Sequence, residues 1–112
     1  MEGCIFCRII KGEISSQKVY EDDRVLAFRD INPQAPVHIV IVLKEHLATL
    51  NDVEDYSLYG DVFKAIKKIA LDNGLSEKGY RVVANCKEDA GQTVFHVHFH
   101  LLGGRVFKWP PG

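Results

Sequence analysis

The sequence lacks any long apolar segment and any excess of one charge. Its longest apolar run, residues 37–43, is interrupted by His38 and is far shorter than the roughly 20 residues that cross a bilayer. Fourteen Lys and Arg residues are balanced by 15 Asp and Glu residues, and the densest basic cluster, residues 64–68, has the spacing of a solvated helix face. The sequence therefore predicts neither a membrane nor a nucleic acid as a partner.

Cysteine is also scarce, and the sequence contains no recognisable secretion signal. The three cysteines are an odd number, which favours free thiols or metal ligands over a framework of disulfides. The first residues contain no basic segment followed by an apolar core, which predicts a cytoplasmic location.

The chain has 112 residues, of which 46% are hydrophobic and 26% charged, and this composition predicts one domain over residues 1–112.

Hydrophobic periodicity predicts five strands and two helices. The strands are expected at residues 18–21, 24–28, 37–43, 80–85 and 94–102. A short helix is predicted over residues 4–11, and a long one from Asn51 or Asp52 to Asn73, with Glu54 completing a capping box. The long helix has an apolar stripe that we expect to be core, formed by Tyr59, Val62, Phe63, Ile66, Ile69 and Ala70. We therefore predict an α+β fold in which the long helix covers one face of a five-stranded antiparallel sheet.

Three histidines, His96, His98 and His100, occupy alternate positions near the end of the sequence. Because the residues between them are apolar, the segment predicts a strand with one apolar face and one imidazole face. Along such a strand the outer rings would be about 13 Å apart, so one metal ion could not easily bind all three. Imidazole suits proton transfer, nucleophilic attack and metal binding near neutral pH. We therefore predict a functional site in which the three rings have different roles.

The histidine segment and several other motifs resemble those of one known family. His96-Val-His98-Phe-His100-Leu-Leu is similar to the His-x-His-x-His motif of the histidine-triad (HIT) nucleotide hydrolases and transferases. Further matching segments follow the family's order over nearly the whole chain, at residues 28–38, 44–46, 85, 91–93 and 109–112. The Trp-Pro-Pro-Gly tail and the Gly-Gln-Thr-Val-Phe-His segment resemble the purine nucleoside phosphoramidase branch. The resemblance implies a HIT-like fold.

The resemblance also implies a nucleotide site. His98 matches the nucleophile that attacks the α-phosphate and forms a covalent nucleotidyl intermediate. His38 matches a histidine beside that nucleophile, and His96 is the first member of the catalytic triad. Asp30 matches the residue that binds the ribose hydroxyls. Phosphate donors are implied at His100, Asn85, Gln92 and Thr93, with close backbone approach at Gly91, and an apolar slot for the base is implied at Phe6, Ile9, Phe28 and Ile31.

A further motif, Cys4-Ile-Phe-Cys7, resembles many bacterial members of the family rather than the animal phosphoramidases. Two thiolates at this spacing supply half of a tetrahedral zinc site, and His46 and His96 lie where related proteins supply the other ligands. The resemblance therefore implies one structural zinc per chain and no organic cofactor, with free buried thiols as the alternative. Cys86 has no such partner and is expected to be a loop thiol.

The resemblance implies an enzyme that hydrolyses the P–N bond of purine nucleoside 5′-phosphoramidates. Three alternatives stay open: a dinucleoside polyphosphate hydrolase, a nucleotide-binding module with weak turnover, and a hydrolase that binds one metal ion through the three histidines. Neither the natural amine nor a preference for adenosine or guanosine follows from the sequence. A two-fold homodimer is implied as well, with Trp109 near the active site of the partner subunit.

Overall fold

Five antiparallel strands form one sheet in the computed structural model, which describes residues 3–112. The strands are β1 (Lys18–Glu21), β2 (Val25–Arg29), β3 (Val37–Leu43), β4 (Tyr80–Val83) and β5 (His98–Gly103). Their order across the sheet is β1-β2-β3-β5-β4. Two α-helices accompany the sheet, the short α1 (Ile5–Ile10) and the long α2 (Ser57–Asp72). This arrangement confirms the predicted α+β fold.

The central strand β3 presents one face to each helix because its side chains alternate across the sheet. Ile39 and Ile41 are buried in the core that also contains Ile66 of α2. On the opposite face Val40 packs in a second cluster with Phe6 of α1. Since α1 has six residues, it is only about 9 Å long and leaves part of this second face uncovered. The candidate site lies in the uncovered part.

The long helix begins later than predicted, and a separate turn precedes it. Thr49 and Asp52 close a capping box of their own, because the Asp52 carboxylate accepts the Thr49 N–H at 2.9 Å. The capped unit is the one-turn 3₁₀ helix Leu50–Asp52. Val53 is then extended and buried in the core, so the chain leaves the helical path before α2 starts. The predicted capping box at Glu54 is therefore wrong.

The buried stripe of α2 differs from the prediction at two positions. Phe63 is 50% exposed, and Tyr59 is only partly buried. The helix buries Leu58 and Ala65 in their place, because the small Ala65 side chain allows close approach to the sheet. The Phe63 ring lies beside this contact and packs edge-on against Phe99, with ring centroids 6.1 Å apart. The other predicted core positions are buried, namely Val62, Ile66, Ile69 and Ala70.

The histidine strand is also shorter than predicted. β5 begins at His98 rather than at residue 94, and β4 ends at Val83 rather than at residue 85. Before β5, the Val97 N–H donates to the Leu47 carbonyl at 2.8 Å, so this segment bonds to a loop instead of continuing the regular strand. His96 consequently lies outside the regular part of β5. No helix among residues 3–112 has both the length and the apolarity required to cross a bilayer.

Candidate active site

One cavity of about 300 Å³ opens on the face of the sheet that α1 leaves uncovered. This volume is at the lower end of the range for small-molecule sites. Its wall joins apolar side chains from the second core cluster to the two histidines of β5. The cavity is lined by the residues that the resemblance assigns to nucleotide binding, namely Phe6, Ile9, Phe28, Asp30, Ile31, Asn85, Gly91, Gln92, Thr93, His98 and His100, whereas His38 and His96 lie outside its wall.

The register of the sheet explains which side chains meet in the cavity. Val40 of β3 lies opposite both His100 of β5 and Phe28 of β2, so three neighbouring strands contribute one row of side chains. Sequence reasoning missed Val40, although the alternation along β3 places it on the same face as His38. It also missed Ile14, which lines the cavity from the segment after α1 and belongs to no motif.

His98 is buried, and one of its ring nitrogens is fixed by a hydrogen bond. Its Nδ1–H donates to the His96 backbone carbonyl at 2.7 Å. The proton therefore occupies Nδ1, and the lone pair of Nε2 is free. Burial lowers the pKa of His98, against smaller opposing effects of the His96 carbonyl and Asp30. The ring is thus a neutral base near neutral pH, which is the form that nucleophilic attack requires.

His38 bonds to His100 rather than to His98. The Gln34 backbone N–H donates to His38 Nδ1 at 3.0 Å, which places the His38 proton on Nε2. This Nε2–H donates to His100 Nδ1 at 2.9 Å, and an Asp30 oxygen lies 3.4 Å from the same nitrogen. His100 must then carry its own proton on Nε2, and burial lowers its pKa to about 4. His38 is therefore linked directly to His100 and not to His98, and His100 is a neutral donor.

Asp30, His38 and His100 bring three metal-type ligand atoms within 4.8 Å of one another. A metal ion between them would need the lone pair of His38 Nε2. That lone pair is not available, because the Gln34 N–H occupies Nδ1 and leaves the proton on Nε2. This cluster therefore fits a chain of hydrogen bonds that orients His100 and does not fit a metal site.

The loop between β4 and β5 forms the remaining wall of the cavity. It contains the one-turn 3₁₀ helix Glu88–Ala90, which ends at Gly91 in the left-handed conformation (φ +83°). The backbone N–H groups of Gly91 and Gln92 both donate to carbonyls inside this loop, so neither is free for a phosphate. The Gln92 side-chain amide is likewise bonded to backbone groups. Asn85 and Thr93 are the other polar residues of this loop that line the cavity.

Cys4, Cys7, His46 and His96 form a second cluster beside the cavity, with their ligand atoms within 4.8 Å of one another. The Cys4 sulfur is 3.3 Å from His96 Nδ1, the Cys7 sulfur is 3.2 Å from His46 Nδ1, and the two Nδ1 atoms are 3.1 Å apart. A tetrahedral zinc shell with ordinary bond lengths needs about 3.6 Å between sulfur and nitrogen and about 3.3 Å between nitrogens. The four residues therefore fit zinc.

The His96 ring is oriented for this cluster by the backbone. Its Nε2–H donates to the Leu43 carbonyl at 2.6 Å, which leaves the Nδ1 lone pair for a metal. His96 thus serves the cysteine cluster through its ring and His98 through its carbonyl. Cys86 is a partly buried free thiol outside the cluster, as expected for a loop thiol.

The fold and the site together define the class of protein. The chain is an α+β protein with two histidines in a small-molecule cavity, and a group of four zinc-type ligands lies next to that cavity. The sequence model of the family described as "HIT domain" matches residues 11–107. The chain belongs to this family.

Known proteins similar to this chain include two curated relatives and a solved structure. The chain is 48% identical over 106 residues to the purine nucleoside phosphoramidase of Escherichia coli (strain K12), covering 93% of this chain and 89% of that protein. It is 51% identical over 112 residues to the 14 kDa zinc-binding protein of Zea mays, covering 96% and 87%. A HIT family hydrolase from Legionella pneumophila Philadelphia 1 matches with a TM-score of 0.95 and 52% identity, covering 98% and 100% of the two chains. These findings confirm the predicted family and that the protein is a hydrolase of it.

Proposed function

We propose that this protein hydrolyses purine nucleoside 5′-phosphoramidates with His98 as the nucleophile. The observation that carries the proposal is the hydrogen bond from His98 Nδ1–H to the His96 carbonyl, because it leaves a free lone pair on Nε2 in a cavity lined by the residues expected to bind a nucleotide. The name of the E. coli relative, purine nucleoside phosphoramidase, supports the choice of both the base and the leaving group.

The proposed reaction has two displacement steps at the α-phosphorus. In the first, His98 Nε2 attacks phosphorus, the P–N bond breaks, and the amine takes up a proton as it leaves. In the second, water attacks the same phosphorus, its proton is released, and the bond to Nε2 breaks. The nucleoside monophosphate is then free and His98 is neutral again. Donors for the charge on the phosphoryl oxygens are His100 Nε2–H and the side chains of Asn85 and Thr93.

The rest of the nucleotide is proposed to lie along the row of side chains from β2 and α1. Asp30 Oδ1 accepts the Asn32 N–H at 2.8 Å, which orients the carboxylate that would accept the ribose hydroxyls. Phe6 and Phe28 pack edge to face, with centroids 5.8 Å apart, and form the floor of the base slot. Ile31 is 100% exposed at the cavity mouth, and a bound purine would cover it. Apolar contacts of this kind select shape and do not distinguish adenine from guanine.

We propose that Cys4, Cys7, His46 and His96 hold one structural zinc ion per chain. The distances within the cluster and the name of the Zea mays relative, a zinc-binding protein, support this assignment. When bound, zinc would link α1 to the two later segments that carry His46 and His96, because its four ligands come from three distant parts of the chain. The proposal places the protein in the cytoplasm, where thiols stay reduced and able to bind metal.

We also propose a homodimer in which the C-terminal tail acts at the partner subunit. Strand β4 lies at the end of the sheet, and such an edge is available for pairing with a second copy. Trp109 is 83% exposed, and the residue before it is tied to the same strand, because the Arg81 guanidinium donates to the Lys108 carbonyl at 3.0 Å. A large exposed aromatic side chain beside an unpaired edge supports an interface there.

The test is a panel of nucleoside phosphoramidates, dinucleoside polyphosphates and sugar nucleotides, compared by kcat/KM on the purified protein. We expect purine phosphoramidates to have the highest value. A higher value for dinucleoside polyphosphates would reassign the leaving group. Tight nucleotide binding with negligible turnover throughout the panel would indicate a binding module. Loss of activity on chelation in protein that stays folded would indicate a metal-dependent hydrolase.

A further inference from the structure

The Gln92 side chain joins its own loop to the segment that follows β3. Gln92 is 7% exposed, and its Nε2 donates to the carbonyls of Ala48 at 2.8 Å and Val94 at 3.0 Å. Its Oε1 accepts the Lys87 N–H at 2.8 Å. The two carbonyl partners identify Nε2, and the N–H partner identifies Oε1. Both N–H donors of the side-chain amide are used. Neither N–H of this side chain is therefore left to donate to a phosphate.

Lys87 has a backbone conformation that normally requires glycine. Its φ of 68° with ψ of −168° lies in a region that residues with a Cβ almost never occupy. Both of its backbone hydrogen-bonding groups are bonded to Gln92, since the Lys87 carbonyl also accepts the Gln92 backbone N–H at 3.1 Å. A conformation of this kind persists only where the surroundings hold it. Here the residue that holds it is Gln92.

The strained residue lies inside the loop that forms the phosphate side of the cavity. Asn85, two positions earlier, and Gly91 and Thr93, shortly after, all line the cavity. If Lys87 relaxed to a negative φ, the peptide planes on both sides would turn, and the loop would move relative to His98. The loop geometry therefore depends on the contacts made by Gln92.

We propose that Gln92 is a positioning residue, which holds Lys87 in its strained conformation and thereby sets where Asn85 and Thr93 meet the phosphate. This inference rests on the proposed function and deepens it, because it names the residue that organises the phosphate side of the site. It also replaces the role expected from the sequence, in which the Gln92 side chain would itself contact the phosphate.

The first experiment is Gln92→Met, which keeps the side-chain length and removes all three hydrogen bonds. We expect kcat/KM for a purine phosphoramidate to fall on the order of 100-fold, as a displacement of about 1 Å in a catalytic site can cause. Gln17→Met is the matched control, since Gln17 is exposed and outside the cavity, and it should stay within about twofold of wild type. A Gln92→Met enzyme with the kcat/KM of the control would overturn the proposal.

The second experiment is rescue by Lys87→Gly, because glycine adopts the same φ without strain. In the wild-type background this change should alter kcat/KM by less than about twofold, whereas in the Gln92→Met background it should recover at least about fivefold. A purely structural role of Gln92 predicts no such dependence on residue 87. An identical Gln92→Met deficit in both backgrounds would therefore contradict the inference.

Two further measurements separate this inference from the proposed function. Amide hydrogen exchange at Lys87 should be slow in the wild type and fast in Gln92→Met, whichever substrate the enzyme cleaves, and unchanged exchange would overturn the inference alone. Lys87→Gly should melt at or above Lys87→Ala, the reverse of the usual order for these residues. If Gln92→Met does not fold, the double variant should fold and take its place in the assays, and failure of both would count against the proposal.

Discussion

Replacing His98 with alanine should abolish turnover and leave the fold and the nucleotide slot in place. The substitution removes one buried hydrogen bond, from Nδ1–H to the His96 carbonyl, and two edge-on contacts, with the rings of Phe6 and His100, whose centroids are 5.0 and 5.2 Å away. Because His98 borders an open cavity, water can reach the carbonyl that the ring leaves behind. We therefore expect a loss of about 1–2 kcal/mol in the free energy of unfolding.

The catalytic loss should be far larger than either the stability loss or the binding loss. Without Nε2 there is no atom to form the covalent intermediate, and kcat should fall by at least about 10⁴-fold, as it does when a catalytic nucleophile is removed. Asp30 and the apolar slot are untouched, so the affinity for a purine nucleoside monophosphate should change by less than about tenfold. A change confined to kcat identifies a group that acts in the chemical step.

Rapid quench followed by mass spectrometry provides the direct assay. Wild-type protein mixed briefly with substrate should carry an acid-labile nucleotidyl adduct on His98, and His98→Ala should carry none. Ile9→Val is the matched control in the same cavity, because it trims the base slot and should weaken binding while it keeps the adduct. An adduct on another residue, or more than a trace of activity in His98→Ala, would refute the reasoning.

Three other predictions concern the metal cluster, the buried imidazoles and the tail. Elemental analysis should find about one zinc per chain. Replacing Cys4 and Cys7 with serine should lower the melting temperature more than it lowers kcat in the molecules that stay folded. The absence of zinc from protein purified without chelator would contradict the proposed zinc site. The pKa of His100 is about 4 in the folded state, below its value of about 6.5 in the unfolded state. The unfolded state therefore takes up a proton first, and the stability of the fold should decrease as the pH drops from 6.5 towards 4. A melting temperature that stays constant over that interval would contradict this prediction. Deleting residues 108–112 should change kcat/KM among amine leaving groups more than it changes the affinity for the product nucleotide. Unchanged selectivity would contradict the role given to the tail. A monomer in light scattering at micromolar concentration would contradict the proposed dimer.

Local patterns predicted the elements of the fold better than their ends. Strand β3 has the predicted bounds, Val37–Leu43, because an apolar run with a single histidine, placed between turn residues, has little alternative. The start of α2 could not be predicted, since two capping boxes compete within a few residues and the one at Thr49 is completed by Asp52. The early end of the regular histidine strand depends on the bond from Val97 N–H to Leu47. Contacts between distant segments decided both points.

The sequence indicated the residues of the candidate site better than it indicated the hydrogen-bond partners of those residues. The motifs named many of the side chains that line the cavity, because their chemistry is visible in the sequence, but not Val40 or Ile14. The motifs could not show that His38 bonds to His100, a residue 62 positions away, or that both N–H groups of the Gln92 side chain donate to backbone carbonyls. Both facts depend on the register of β3 against β5 and on the path of the loop before β5.

The sequence by itself determined the class of fold, the family and the residue types that chemistry requires. Periodicity, turn residues and motif spacing act over a few positions, so they are preserved whatever the rest of the chain does. Only the tertiary structure decided the tautomers of His96 and His100: the first is set by the Leu43 carbonyl, 53 positions away, and the second by the His38 Nε2–H, 62 positions away. A ring nitrogen is a donor or a free lone pair according to the group it faces, and that group is known only when distant parts of the chain have come together.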